Sequence, residues 1–106
     1  MEILGCPIKL YINRRIYFPR LYIDLMGIQY ETDKLIREDT GDCLVYKKYT
    51  ERPLSADEAI TKLRKGNTTL PITFIRRNEL KPGESTLYLI QIDDSLKISV
   101  HNPIDL

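Results

Sequence analysis

The chain has 106 residues, 42% hydrophobic and 29% charged, which is the size and composition of one globular domain, 1–106, and hardly of two. Sixteen basic and fifteen acidic side chains leave a formal net charge of +1, so overall charge cannot drive binding to nucleic acid or anionic lipid, and a nucleic-acid mimic is excluded. Cys6 and Cys43 form no C-x-x-C pair, which argues against a disulfide framework, a zinc ribbon or a thioredoxin-like site.

No apolar run approaches the roughly 20 residues of a membrane span, and "MEILGCPIKL" lacks the basic start of a secretory signal. The expectation is a reduced, cytoplasmic protein without a membrane partner.

In chain order, "PIKLYI" (7–12) alternates as a strand, with Ile8, Leu10 and Ile12 on one side. "RRIYFPRLYIDLMG" (14–27) has two readings. Leu21, Ile23 and Leu25 alternate, which favours a strand, while Pro19 and Gly27 fit the two ends of a short helix. The strand is preferred. "EDTGD" (38–42) is a turn on Thr40-Gly41, and "CLVYKKYT" (43–50) is the next strand.

"RPLSADEAITKLRKG" (52–66) carries the strongest local signals. Ser55 and Glu58 make a capping box, Asp57 and Glu58 suit the positive end of a helix dipole, and Lys62, Arg64 and Lys65 suit the negative end. Gly66 fits a left-handed stop, and Ala56, Ala59, Ile60 and Leu63 share one face. A helix is expected over about 55–65, too short to stand alone and therefore laid on a sheet.

After it, "PITFIRR" (71–77), "STLYLIQI" (85–92) and "LKISVH" (96–101) read as a three-stranded meander, turning at Pro82-Gly83 and at "DDS" (93–95). The expected fold is α+β: a mainly antiparallel sheet of about five to seven strands with one amphipathic helix on one face. Residues 1–42 form a strand-rich part and 43–103 a β-α-β-β-β unit.

Little here points to catalysis. His101 is the single histidine, the paired acids fall in turns or at the expected helix start, and the five glycines are scattered, so no phosphate-binding loop exists. The expectation is a non-enzymatic protein with no cofactor and no metal. "YINRRIYFPRLY" sets Arg14, Arg15 and Arg20 among Tyr11, Tyr17 and Tyr22, a pattern that stacks bases and tracks phosphates. The same composition also serves protein interfaces or an ordinary hairpin. "VYKKYTER" (45–52) and Arg76-Arg77 would extend a positive patch if they shared its face.

"VYKKYTERPLSADEAITKL" followed by "LPITFIRRNE" and "TLYLIQIDDS" resembles the C-terminal domain of long-form ribosome hibernation promoting factors. The matching residues include Val45, Lys47, Pro53, Leu54, Ser55, Glu58, Ala59, Ile60, Leu63 and Phe74. Leu89 and Ile90 depart from that family, where basic residues follow the tyrosine, and "DDSLKIS" replaces its glycine-rich ending.

The resemblance implies a homodimer formed through the sheet, with Phe74, Leu87, Tyr88, Leu89 and Ile90 at the interface, and a ribosome partner. The residues are compatible, because "STLYLIQI" is apolar on both faces and one helix covers only one. Two alternatives stand beside this: a small phage- or virus-encoded inhibitor of a host enzyme or defence complex, and an RNA-binding module.

Overall fold

Alternating side chains and tight turns set ten elements along the chain in the computed structural model, which describes residues 4–101. They are β1 (Leu4–Lys9), β2 (Arg15–Tyr17), α1 (Arg20–Met26), β3 (Thr32–Asp39), β4 (Cys43–Lys48), β5 (Glu58–Arg64), β6 (Asn67–Thr69), α2 (Ile72–Arg77), β7 (Thr86–Ile92) and β8 (Ser95–Ser99). All eight strands join one antiparallel sheet in the order β1-β7-β8-β4-β3-β5-β6-β2. Its two edges approach each other: just past β1, the Tyr11 N–H donates to the Arg15 carbonyl of β2 at 3.0 Å. The sheet thus closes into a nearly complete barrel, which removes most of its exposed edge. The mainly antiparallel α+β class holds, with eight strands rather than five to seven and two short helices in place of one.

The expected helix over 55–65 is the strand β5. Its Ala, Glu, Lys and Leu content favours a helix, but pairing decides otherwise. Seven residues of β5 pair with β3, from Thr32↔Arg64 to Glu38↔Glu58, and Leu63 is fully buried. A lone helix of that length is marginal, whereas the paired strand satisfies its backbone and closes the barrel. The local signals operate in another geometry. The Ser55 N–H donates to Glu58 Oε1 at 3.0 Å, as in a capping box, but the chain then turns into a strand. Lys65 (φ 49°) and Gly66 (φ 76°) are both left-handed and join Arg64 to its partner Asn67 as a two-residue hairpin turn. Any Cβ at Gly66 would lie 2.8 Å from the Tyr30 ring, so this position needs glycine for space as well as for φ.

Residues 14–27 follow the helical alternative after Pro19. They form β2, then α1 with Gly27 as its left-handed cap, not one strand. "PITFIRR" is likewise the helix α2, with Phe74 and Ile75 inward. The two helices plug opposite mouths of the barrel. α1 sits at the Gly66 end, where Ile23 Cδ1 lies 3.3 Å from the Cβ position of Gly66. α2 sits at the Thr40-Gly41 turn, whose Gly41 carbonyl accepts from Arg77 Nε (3.0 Å) and Asn78 Nδ2 (3.1 Å).

Two β-β-α-β-β halves, 4–48 and 58–99, repeat one another. Arg15 and Asn67 are 52 residues apart, and the same spacing relates many details. Phe18-Pro19-x-x-Tyr22-Ile23 matches Leu70-Pro71-x-x-Phe74-Ile75, and all but the prolines are buried. The Phe18 N–H donates to the Gly66 carbonyl and the Leu70 N–H to the Arg14 carbonyl, both at 2.8 Å. Arg14 (φ 65°) and Gly66 are left-handed counterparts, as are Gly27 (φ 71°) and Glu79 (φ 54°) behind the helices. Across β4–β8, Leu44↔Ile98 and Tyr46↔Leu96 exchange under the same relation, and across β2–β6, Arg15↔Thr69 and Tyr17↔Asn67 do. A pseudo-twofold axis therefore passes between β2 and β6 on one wall and between β4 and β8 on the opposite wall.

The core is one cluster inside this barrel, built from alternate residues of every wall, among them Leu10, Ile16, Leu35, Leu44, Leu63, Leu87, Leu89, Leu96 and Ile98. Leu87, Leu89 and Phe74 are fully buried in it, and Ile90 is 5% exposed. Leu87, Leu89 and Phe74 are therefore enclosed in the barrel, whereas Ile90 alternates with Leu87 and Leu89 onto the outer side of β7 and is buried there, so none of the four forms an open interface. The sheet covers its apolar face by curving onto itself, not by recruiting one helix. Tyr88 alone of the five is half-buried, on the outer side of β7.

Tyr46 is fully buried, its ring edge-on to Phe18 at 5.3 Å, and its hydroxyl has no hydrogen-bond partner among the described residues. Burial pushes its phenol well above the ordinary value, and the charge of Arg37 pulls back only in part. Tyr46→Phe removes an unpartnered buried hydroxyl and keeps the ring. The variant is expected to match or exceed the parent by about 1 kcal/mol in urea denaturation. A loss of that size would mean that the hydroxyl is satisfied.

Candidate nucleic-acid interface

Strand alternation sorts the side chains of the barrel wall. With Ile8, Leu10, Ile16, Leu35 and Leu63 inside, their neighbours Lys9, Tyr11, Arg15, Tyr17, Lys34, Lys62 and Arg64 point outwards. These residues lie on β2, β5, β3 and the β1 edge, which together with β6 are contiguous around the barrel. Tyr11 and Tyr17 pack edge to face at 5.1 Å, and Lys9 Nζ lies 5.6 Å from the Tyr11 ring centre. Tyr11 is 42% and Tyr17 45% exposed, so both rings offer surface to a partner.

The outer ladder of β3 and β5 changes character along its length. At one end Glu58 stands directly opposite Glu38. This like-charge pair is neutralised: Lys47 Nζ reaches Glu38 at 3.0 Å and Glu58 at 3.5 Å, and Arg52 grips Glu58 with two hydrogen bonds of 2.9 and 2.7 Å. Next come Ile36 and Ile60. Then Lys34 stands directly opposite Lys62, followed by Thr32 opposite Arg64. Like charges facing across a strand pair are destabilising. Among the described residues, none of Lys9, Arg15, Lys34, Lys62 and Arg64 makes an ion pair with a carboxylate. The same two strands thus carry a compensated acidic pair and an uncompensated basic one.

Two depressions open on this basic part. A groove of about 640 Å³ is lined by Thr32, Asp33, Lys34, Tyr49, Ile60, Thr61 and Lys62. Lys34 Nζ lies 5.4 Å from the centre of the Tyr49 ring in its wall. Asp33 is its one acid, and both carboxylate oxygens are taken at 2.8 Å by the backbone N–H groups of Gln29 and Lys34. A cleft of about 280 Å³ adjoins it through Thr61 and Lys62 and is completed by Arg15, Arg64, Thr68 and Thr69.

Of the six residues expected to contact nucleic acid, Tyr11, Arg15 and Tyr17 meet on this wall. Arg14 is exposed in the turn before β2. Arg20 lies at the α1 end with its guanidinium 4.3 Å from the Tyr30 ring centre. Tyr22 is 6% exposed and belongs to the barrel plug, so it cannot stack a base. Of the other two basic stretches, only Tyr49 joins the patch, in the wall of the larger groove. Lys47 and Arg52 serve the Glu38–Glu58 network, and Arg77 bonds Asp39 at 2.6 Å at the α2 end. Lys9, Lys34, Tyr49, Lys62, Arg64 and Thr69 take their place. Lys62 comes beside Lys34 only through the register of β5 on β3.

Comparison with known protein families, curated proteins and solved structures finds no match.

Elsewhere, His101 Nε2 stands 3.8 Å from Asp42 in an exposed pair, and both cysteines are unbridged. No helix among the described residues is long and apolar enough to cross a membrane.

The ion pairs fix an acid response. Hydrogen bonds from Arg52, then from the Ser55 amide, hold the Glu58 carboxyl far below its ordinary value. For Asp39, burial pushes upwards, but the hydrogen bonds of Arg77 and Gly41 and the charges of Arg77 and Arg37 outweigh it, and the net shift is down. A carboxyl depressed by folding stabilises the protein above its unfolded value, near 4, and that contribution is lost as pH falls through the folded value. Stability is therefore expected to be flat from neutrality to about pH 5 and to decline below it. Glu58→Gln should lower stability at pH 7 and flatten the acid decline. Parallel pH profiles for parent and variant would contradict this linkage.

Proposed function

We propose that this protein is a non-catalytic binding module for single-stranded nucleic acid, RNA first, held on the outer wall formed by β2, β6, β5, β3 and the β1 edge. One observation carries the reading: Lys34 and Lys62 stand directly opposite each other without a carboxylate, on the wall that also presents Arg15, Arg64, Tyr11 and Tyr17. A protein at net charge +1 has acids available to compensate such a pair, as it does for Glu38 and Glu58 a few residues along. Polyanion binding gives unpaired cations a use, and exposed tyrosines beside them stack bases of any identity. A broad convex wall suits a flexible strand rather than the groove of a duplex.

Fluorescence anisotropy with a labelled oligouridylate tests the proposal. Binding is expected at low salt and should weaken by about tenfold in the Tyr17→Ala variant. Equal affinity of parent and variant, or no binding at low salt, would remove it.

Self-association, with the ribosome-linked role that the resemblance implies, is the second reading. It draws support from the opposite wall, where Val45 and Tyr88 are half-buried and Ile92 is 36% exposed. Sedimentation at high micromolar concentration decides it, and a strict monomer would remove it.

A further inference from the structure

We infer that the cleft between β5 and β6 is an oxyanion subsite that seats one phosphate of the bound strand, an inference that rests on the proposed nucleic-acid reading. The cleft follows from the topology. β5 and β6 share a tight turn but a single paired position, Arg64↔Asn67. β5 then follows β3, and β6 follows β2. The strands diverge from their turn and leave a wedge in the wall.

Across this wedge the Thr61 and Thr68 hydroxyls meet at 3.0 Å. In such a pair one hydroxyl donates and the other keeps its own hydrogen for a further acceptor. Thr68 is 1% exposed, so the pair forms a floor. Arg15, Lys62, Arg64 and Thr69 complete the cleft. Arg15 Nη1 donates to Asn67 Oδ1, which anchors the guanidinium while leaving its other N–H groups free to donate.

Three cations, hydroxyl donors and no lining carboxylate match a tetrahedral oxyanion. Arginine suits it through paired donors and lysine as a point charge. The volume, about 280 Å³, admits a phosphate group, and the side chains around it are polar or charged. The neighbouring groove, with Tyr49 and Ile60 in its lining, has the apolar surface a base requires. Phosphate in the cleft and base in the groove divide the two chemical parts of one nucleotide between adjoining depressions.

The test uses the full chain and inorganic phosphate, titrated against sodium chloride of matched ionic strength and followed by proton–nitrogen correlation spectra. Saturable shifts are expected at Thr61, Lys62, Arg64, Thr68, Thr69 and the Arg15 side chain, with none of this pattern in chloride. Arg64→Gln should weaken phosphate binding about tenfold. Shifts spread evenly over all basic residues, or identical in chloride, mean an adventitious ion only and overturn the subsite. A second arm adds oligouridylate. If it binds without perturbing Thr61, Thr68 or Arg15, the subsite falls while the nucleic-acid reading stands. If phosphate saturates the cleft while oligouridylate does not bind, the subsite stands as an oxyanion site and the wider reading falls.

Discussion

Cut between Arg52 and Pro53, the chain is expected to give two fragments that are unfolded apart and rebuild the barrel when mixed. The reason is the interleaving of the halves. The first half supplies the β1–β2 edge and the β3–β4 hairpin, but in the closed sheet β7–β8 separates β1 from β4, and β5–β6 separates β3 from β2. Neither half contains two neighbouring hairpins. Isolated two-stranded hairpins are marginal in water, and each fragment would expose the apolar side of every strand it holds. The cut falls in an exposed stretch, 50–57, and the side-chain ties that span it are those of Arg52 and Lys47 to Glu58. Circular dichroism and amide dispersion of each fragment, then of the mixture, read the outcome. A single fragment that folds as a monomer would contradict the interleaved topology. A fragment that folds only as a dimer would not, since the pseudo-twofold axis lets one half stand in for the other.

The second large effect concerns charge. Replacing Lys34, Lys62 and Arg64 together by glutamine should leave stability unchanged or slightly raised, because Lys34 and Lys62 repel across their pair and no ion pair is lost. Binding of oligouridylate should fall by one to two orders of magnitude at low salt, as roughly three phosphate contacts disappear. The slope of log affinity against log salt should also drop by about two, each contact on a single strand contributing about 0.7. Glutamine at Lys47, by contrast, should cost stability, because it strands Glu38 opposite Glu58, and should barely change the salt slope. A salt slope that responds to Lys47 and ignores the other three would place the ligand elsewhere.

Several strands were legible where period and punctuation agreed. "LKISVH" put Leu96 and Ile98 on one face, and both are fully buried in β8. The Asp93-Asp94 and Thr40-Gly41 turns fall between paired strands. The misreadings have one physical source: local preference was weighed without the partner strand. The residues of β5 are helix formers, and only their register with β3, far away in the chain, makes them a strand. Three of the six residues of α2, Ile72, Thr73 and Ile75, are β-branched, yet the segment is a helix because Phe74 and Ile75 pack into the barrel mouth.

β3 was missed because Leu35 and Ile36 are both fully buried, inside and outside the wall, which blurs the alternation. One signal was available for both helices. Pro-x-x-aromatic-Ile occurs at Pro19–Ile23 and Pro71–Ile75, and its recurrence marks the internal repeat. It was faint, because only the proline and the isoleucine are identical.

The candidate site was half legible. Tyr11, Arg15 and Tyr17 are close in sequence and remain together on the wall. Lys34, Lys62 and Arg64 join them only through the β3–β5–β6 pairing, so their convergence depends on a topology that the misread helix concealed.

The central claim is that one wall of a pseudo-symmetric barrel binds a single strand of nucleic acid. Backbone amide shifts on adding unlabelled oligouridylate to the intact protein test it most directly. The account predicts perturbed amides along 9–17, 32–36 and 60–69, and quiet amides along 43–47, 88–92 and 95–99. Perturbation confined to the second set, or no perturbation at low salt, would contradict it.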